Sequence, residues 1–262
     1  MATAATTYGE RRFGAAYSVR ILVTLGVLGL IVGLWAGEQD PRTSSHPELV
    51  WISVGLVAAV VALWIVLSKT VLTISDSGVR RESVLGQQEM AWSQIVETRY
   101  RVVPISTYSH FGLIGALLAM SSKSRRALFT LELISNDGKK LKITSTFRNA
   151  DEAIGIILAR ILPPMVESVK ARLRRGETVD FAGISLSATA VIWKNTSIPV
   201  SEISKAELAG IYLKVKRQGK WLAAINVKSD KVPNVLVFLE VLESVAPQVK
   251  STGIDPLARV RL

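Results

Sequence analysis

The 262-residue chain contains no cysteine and only two histidines, His46 and His110. Without thiols, disulfides and thiolate metal sites are excluded. No His, Asp and Glu stand at metal-ligand spacing. His46 lies beside Pro47 in an acidic stretch, and His110 precedes an apolar segment, where it can sit at headgroup level. No glycine-rich loop opens a helix in the phosphate-binding pattern, and no G-x-S-x-G occurs. Asp151-Glu152 reads as charge at a helix N-terminus, not as an acid/base pair. The expectation is a protein that is not an enzyme, with no catalytic residue, metal or cofactor. The isoelectric point near 10.0 raises nucleic acid as a partner, but no helix-turn-helix or RNA-binding motif accompanies it, so nucleic acid is not expected. Asn195-Thr196-Ser197 matches a glycosylation acceptor, which a cytoplasmic segment would not use.

Charge is also missing from two long stretches, residues 21–37 and 49–68. A bilayer core needs about 20 apolar helical residues, with a usable range of about 17–25. Tyr17, Trp35, Trp51 and Trp64 stand at the edges, as interfacial aromatics do. The pattern predicts a two-helix transmembrane hairpin over residues 18–68, after a segment 1–17. Buried core helices rarely stay uncharged this long. Arg11-Arg12-Phe13 faintly resembles a twin-arginine signal, but the run is longer than a signal core and a second run follows it. The connection 38–48 is acidic, whereas 28 Lys/Arg against 17 Asp/Glu follow from position 69. The positive-inside rule then places both termini in the cytoplasm of a multi-pass protein of the cytoplasmic (inner) membrane. Gly26, Gly29 and Gly33 offer small-residue spacing for close helix contact and hence self-association.

From Val71 the pattern changes to short alternating segments, which reads as strands. Residues 71–75, 79–85, 87–92, 127–135 and 140–145 qualify, and Asn136-Asp137-Gly138-Lys139 is a tight-hairpin signal. Asn149 can cap a helix with Ile154, Ile157, Leu158, Ile161 and Leu162 on one face. Pro163-Pro164 is expected to end it. A second helical piece over residues 165–175 would serve as a linker, 163–176. The plan then recurs. Gly183-Ile184 echoes Gly78-Val79, and the segment ending at Ile203 echoes that ending at Ile95. A hairpin runs from residues 212–217 through Gln218-Gly219-Lys220 into 221–227. Pro233-Asn234 opens an apolar helix, 235–245. Two lobes follow, 69–162 and 177–246, each a run of strands closed by one helix, before a tail 247–262.

The turn Asp76-x-Gly78, a strand, and an apolar-Trp-x-x-Ile ending at Trp92 and Ile95 resemble the PH-like domains of bacterial membrane proteins of uncharacterised function. Glu202-Ile203 with Val232-Pro233-Asn234 is similar to the second half of such proteins. The resemblance covers roughly residues 70–245. It implies two N-terminal spans followed by bent antiparallel sheets, each with a capping helix, and it implies no enzymatic activity. The expected fold class is thus a membrane α-helical hairpin plus α+β, with two tandem PH-like lobes.

One stretch of lobe one, residues 104–126, has no counterpart in lobe two. Its centre is almost wholly apolar, with Phe111, Leu113, Ile114, Leu117, Leu118 and Met120, and Lys123, Arg125 and Arg126 follow. Apolar side chains beside cations suit a bilayer surface, with the cations on anionic headgroups. The insert can instead pack on the sheet, a partner or a second copy, or form a third span, for which its ten-residue core is short. Arg80-Arg81, Lys139-Lys140-Lys142 and Arg172-Arg174-Arg175 read as solvated faces. The function expected is a non-enzymatic, membrane-tethered adaptor. It would bind lipid headgroups or a membrane protein through the insert; the alternative is a self-associating scaffold.

Overall fold

The computed structural model describes residues 10–15, 69–84, 86–104, 127–194 and 196–252, with isolated positions at 26, 29, 54, 55, 58, 59, 61, 62 and 65. Four strands form the first sheet, an antiparallel meander: Arg11–Phe13 (β1), Val71–Ile74 (β2), Gly78–Ser83 (β3) and Gly86–Ala91 (β4). A 3-10 turn, Trp92–Gln94, leads into a second sheet of Ile95–Pro104 (β5), Ala127–Ser135 (β6) and Lys140–Thr144 (β7). Helix Ala150–Arg174 (α1) closes this lobe.

The second lobe repeats the order. Val179–Asp180 (β8), Ile184–Leu186 (β9), Ala190–Trp193 (β10) and Thr196–Pro199 (β11) form one sheet. The 3-10 turn Val200–Glu202 leads to Ile203–Ala209 (β12), Tyr212–Arg217 (β13) and Ala223–Lys228 (β14). After helix Val235–Val245 (α2), Lys250–Thr252 (β15) pairs with β12, in parallel.

Local chemistry accounts for these elements. Leu72 and Ile74, Leu141 and Ile143, and Leu213 and Val215 are buried while their strand neighbours are less so, the period-two pattern of a sheet with one covered face. Gly78 is required by crowding, because a Cβ there would lie 2.3 Å from the Met90 carbonyl oxygen across the β3–β4 ladder. Ile154, Ile157, Leu158, Ile161 and Leu162 all face inward from α1. The core runs unbroken from Leu131 and Ile157 to Val191, Val215 and Phe238, and Phe181 meets Phe238 edge-on at 5.4 Å.

Besides the shared core, one residue makes the main hydrogen-bonded link between the lobes. Asn234, at the start of α2, has φ 53° and does not cap its own helix. Its backbone N–H donates to the Thr98 carbonyl at 2.7 Å, and its Oδ1 accepts from the Thr98 N–H at 2.8 Å and hydroxyl at 3.1 Å. β5 is an edge strand, so Asn234 stands in for a missing strand neighbour. Asn tolerates the left-handed backbone this requires.

The expected fold class is corrected. The described residues form four mostly antiparallel sheets with two α-helices, and they contain no N-terminal helical hairpin. Among them no helix is long and apolar enough to cross a membrane. α1 has the length, but Asp151, Glu152, Arg160, Glu167, Lys170, Arg172 and Arg174 lie along it. α2 is apolar but has only 11 residues. The multi-pass inner-membrane placement and its transmembrane character fall with the hairpin. Most of residues 21–37 and 49–68 lies outside the described residues, and the isolated positions within these runs are helical. The chain enters and leaves this stretch from inside a sheet, between β1 and β2, where lobe two has only residues 181–183.

A second correction concerns the prolines. Helix α1 continues through Pro163 and Pro164 to Arg174. Both prolines are exposed, so the carbonyls they leave without an N–H partner lie on the solvent side, where water can satisfy them.

Phe13 is 7% exposed and pairs with Leu72, so Arg11–Phe13 belongs to the core of lobe one. Phe13→Ala is expected to lower stability by about 3 kcal/mol, measured by denaturant unfolding; an unchanged midpoint would contradict this. Asn234→Gly keeps the backbone but leaves the buried Thr98 N–H without its acceptor. It is expected to cost about 1–3 kcal/mol, with Asn234→Ala about 1 kcal/mol worse.

Candidate binding surface

Lobe one departs from lobe two by two insertions, residues 16–68 and 105–126, and both leave from the same end. The Arg148 N–H donates to the Gly14 carbonyl at 2.7 Å, and Ala15 bridges Phe147. Two residues before Phe147, the Ser145 N–H donates to the Phe129 carbonyl at 3.1 Å and the Ser145 hydroxyl accepts from the Phe129 N–H at 2.8 Å. Phe129 stands two residues into β6, where the second insertion rejoins the sheet, and Ala127 pairs with Pro104, where it leaves. One short ladder therefore links the exit of the first insertion to both ends of the second. The first insertion returns at Lys69, three residues before Leu72, the partner of Phe13.

Exposed cations surround this end. Lys142 points outward from β7, an edge strand, toward this end, and Arg148 follows the strand; Lys140 lies at the other end, beside the 136–139 turn. Lys69 is exposed beside the first insertion. The Arg81 guanidinium donates to the Lys142 carbonyl at 3.3 Å, which adds a further cation alongside. Lysines on an edge strand also discourage unwanted strand pairing.

Most of the nearby acids have a local partner, and Glu132 stands opposite Lys142 across the β6–β7 ladder. Glu10 pairs with Arg12 and Glu152 with Arg11, both at 2.8 Å. Glu82 pairs with Arg80 and Glu97 with Arg99, both at 2.6 Å. The hydrogen bond from Arg99 to Glu97 raises the already high Arg99 pKa. Asp137 is 2.7 Å from Lys139. Lys69, Lys140, Lys142 and Arg148 form no ion pair among the described residues. Of the other clusters read as solvated faces, Arg172 and Arg175 bind Glu177, whose carboxyl they hold below its usual pKa, and Arg174 binds Glu167.

The nine residues expected to form the site, Phe111, Leu113, Ile114, Leu117, Leu118, Met120, Lys123, Arg125 and Arg126, lie outside the described residues, as do His46, His110 and Gly33. A Cβ at Gly26 or Gly29 would meet nothing within 4 Å. Sequence reasoning missed the link between the insertions. Its only signal was Glu10-Arg11-Arg12-Phe13, too short to read as a strand. Among the described residues no three His, Cys, Asp or Glu come together as a metal site.

Asp137 gives a direct test of the local pairing. Hydrogen bonds from Lys139 and Ser135 lower its pKa to about 2. A depressed carboxylate stabilises the folded chain above its unfolded pKa, about 3.9, and that contribution is lost as pH falls toward 2. A titration followed by NMR is expected to find its midpoint near 2; a midpoint near 4 would show the turn open in solution.

No curated protein matches the chain significantly in sequence. A family model matches residues 2–251, which takes in both lobes and both insertions. The chain belongs to the family of unknown function DUF6585.

Proposed function

We propose that the chain is a non-enzymatic adaptor that binds anionic lipid headgroups at the end of lobe one from which both insertions leave. The observation that carries this reading is the juxtaposition at that end. Two stretches rich in apolar residues exit beside Lys69, Lys142 and Arg148, none of which forms an ion pair among the described residues. Apolar side chains beside unpaired cations suit the layered chemistry of an anionic bilayer surface. The resemblance of Asp76, Gly78, Trp92 and Ile95 to PH-like domains, which carries no enzymatic implication, supports a binding role. Lys123, Arg125 and Arg126 would extend the cationic collar, and Leu113, Leu117 and Leu118 would supply apolar contact.

The test is flotation of the full chain with vesicles, with and without anionic lipid, across a salt series. Binding is expected to require anionic lipid and to fall with salt. Each cation near such a surface contributes about 1 kcal/mol, so Lys142→Gln with Arg148→Gln is expected to weaken binding about thirtyfold. Replacing Leu113, Leu117 and Leu118 by Asp is expected to weaken it further. Equal binding to neutral and anionic vesicles, or none to either, would contradict the proposal.

A further inference from the structure

The hairpins that close equivalent sheets in the two lobes end differently. In lobe one, residues 136–139 are polar, and Asp137 turns back onto Ser135 and Lys139. In lobe two, residues 218–222 join β13 to β14. Gly219, at φ 68°, makes the turn, and the Lys220 N–H donates to the Arg217 carbonyl at 3.2 Å. The base is fastened. The Gln218 N–H donates to the Glu202 carbonyl at 2.7 Å, its side-chain amide to the Ser201 carbonyl at 3.1 Å, and Arg217 pairs with Glu202.

Beyond that fastening, Trp221 is 85% exposed and Leu222 61%, and both precede the first residue of β14. Sequence periodicity extends the strand back over them; the ladder starts only at Ala223. Two other tryptophans have partners. Trp92 donates its indole N–H to the Ser75 carbonyl at 3.1 Å beneath Arg160, and Trp193 lies under Lys194. Trp221 has no hydrogen bond or ring contact among the described residues.

Cations flank the tip. Lys220 is exposed at the apex, and Lys216 and Lys214 follow on the outward face of β13. None of the three forms an ion pair among the described residues. The register sets Lys216 beside Lys205 and Lys214 beside Glu207 of β12, and Lys205 and Glu207 pair with each other at 2.6 Å. A convex apex with two apolar side chains and lysines behind them reproduces the order of an anionic bilayer surface, acyl boundary first and phosphates next. Tryptophan favours that boundary. A five-residue tip is too small for the roughly 800 Å² per partner that a stable protein interface buries, whereas a lipid surface imposes no such minimum.

We infer that the 218–222 hairpin of lobe two is a second lipid-docking element. Trp221 and Leu222 enter the acyl boundary, and Lys220 and Lys216 hold headgroup phosphates. The inference rests on the reading that the chain engages anionic headgroups, and it adds a contact on the other lobe, so that the two act together.

The experiment uses the full chain with phosphatidylcholine vesicles, with and without phosphatidylglycerol. Trp221→Ser with Leu222→Ser is expected to weaken binding to the anionic vesicles at least tenfold, with the thermal melt unchanged because both side chains are exposed. Brominated lipid is expected to quench part of the tryptophan fluorescence, and Trp221→Phe removes that part. If the tip variant loses affinity while Lys142→Gln with Arg148→Gln does not, the inference stands and the lobe-one site fails. If only the lobe-one variant loses affinity, the hairpin inference is overturned and the lobe-one site stands. Unchanged quenching in Trp221→Phe also overturns the inference, as does equal binding of the wild-type chain to vesicles without phosphatidylglycerol.

Discussion

The grip of Asn234 on Thr98 is the contact on which the two-lobed body depends. Thr98 is 1% exposed on an edge strand, so its N–H must be satisfied by protein. Asn234 reaches it from the position just before the other lobe's helix, offering a backbone donor and a side-chain acceptor as a neighbouring strand would. Arg101 and Asp230, 3.8 Å apart, flank the same seam. The core is then continuous through α1 and α2, and each lobe buries what the other would leave open. A body so joined holds surfaces on both lobes in one geometry.

Duplication makes differences informative. The lobes share two sheets, a 3-10 turn between them, and a helix preceded by an asparagine with φ of 52° or 53°. That shared frame is explained by packing alone. Packing does not require two insertions beside one end of lobe one, or a tryptophan at a hairpin tip of lobe two. Trp221 and Leu222 stand exposed, and Lys69, Lys142 and Arg148 form no ion pair among the described residues; an anionic partner would compensate both.

Legibility in the sequence followed the range of the interactions. Strands from Val71 onward could be read from alternation, the α1 face from its 3.6-residue period, and the second lobe from repeated turns at Gly78 and Gly183. Local chemistry governs all of these. Arg11–Phe13 could not be read, because its burial depends on β2, across the whole first insertion. Pro163-Pro164 does not end α1, since on that exposed face water can satisfy the carbonyls left without an N–H partner. The candidate site was legible only as composition. That residues 105–126 open beside Ala15 depends on the ladder through Phe147, Ser145 and Phe129, which no local pattern encodes. Alternation extends the strand over Trp221, past Ala223, where pairing stops.

Hydrogen exchange of the full chain, with and without anionic vesicles, is the most direct measurement of the central claim that one rigid body presents binding surfaces on both lobes. Slower exchange is predicted at residues 142–148 and 218–223, with none at Thr98, already protected by Asn234. Vesicle-induced change at Thr98, or none at either surface, would contradict the account.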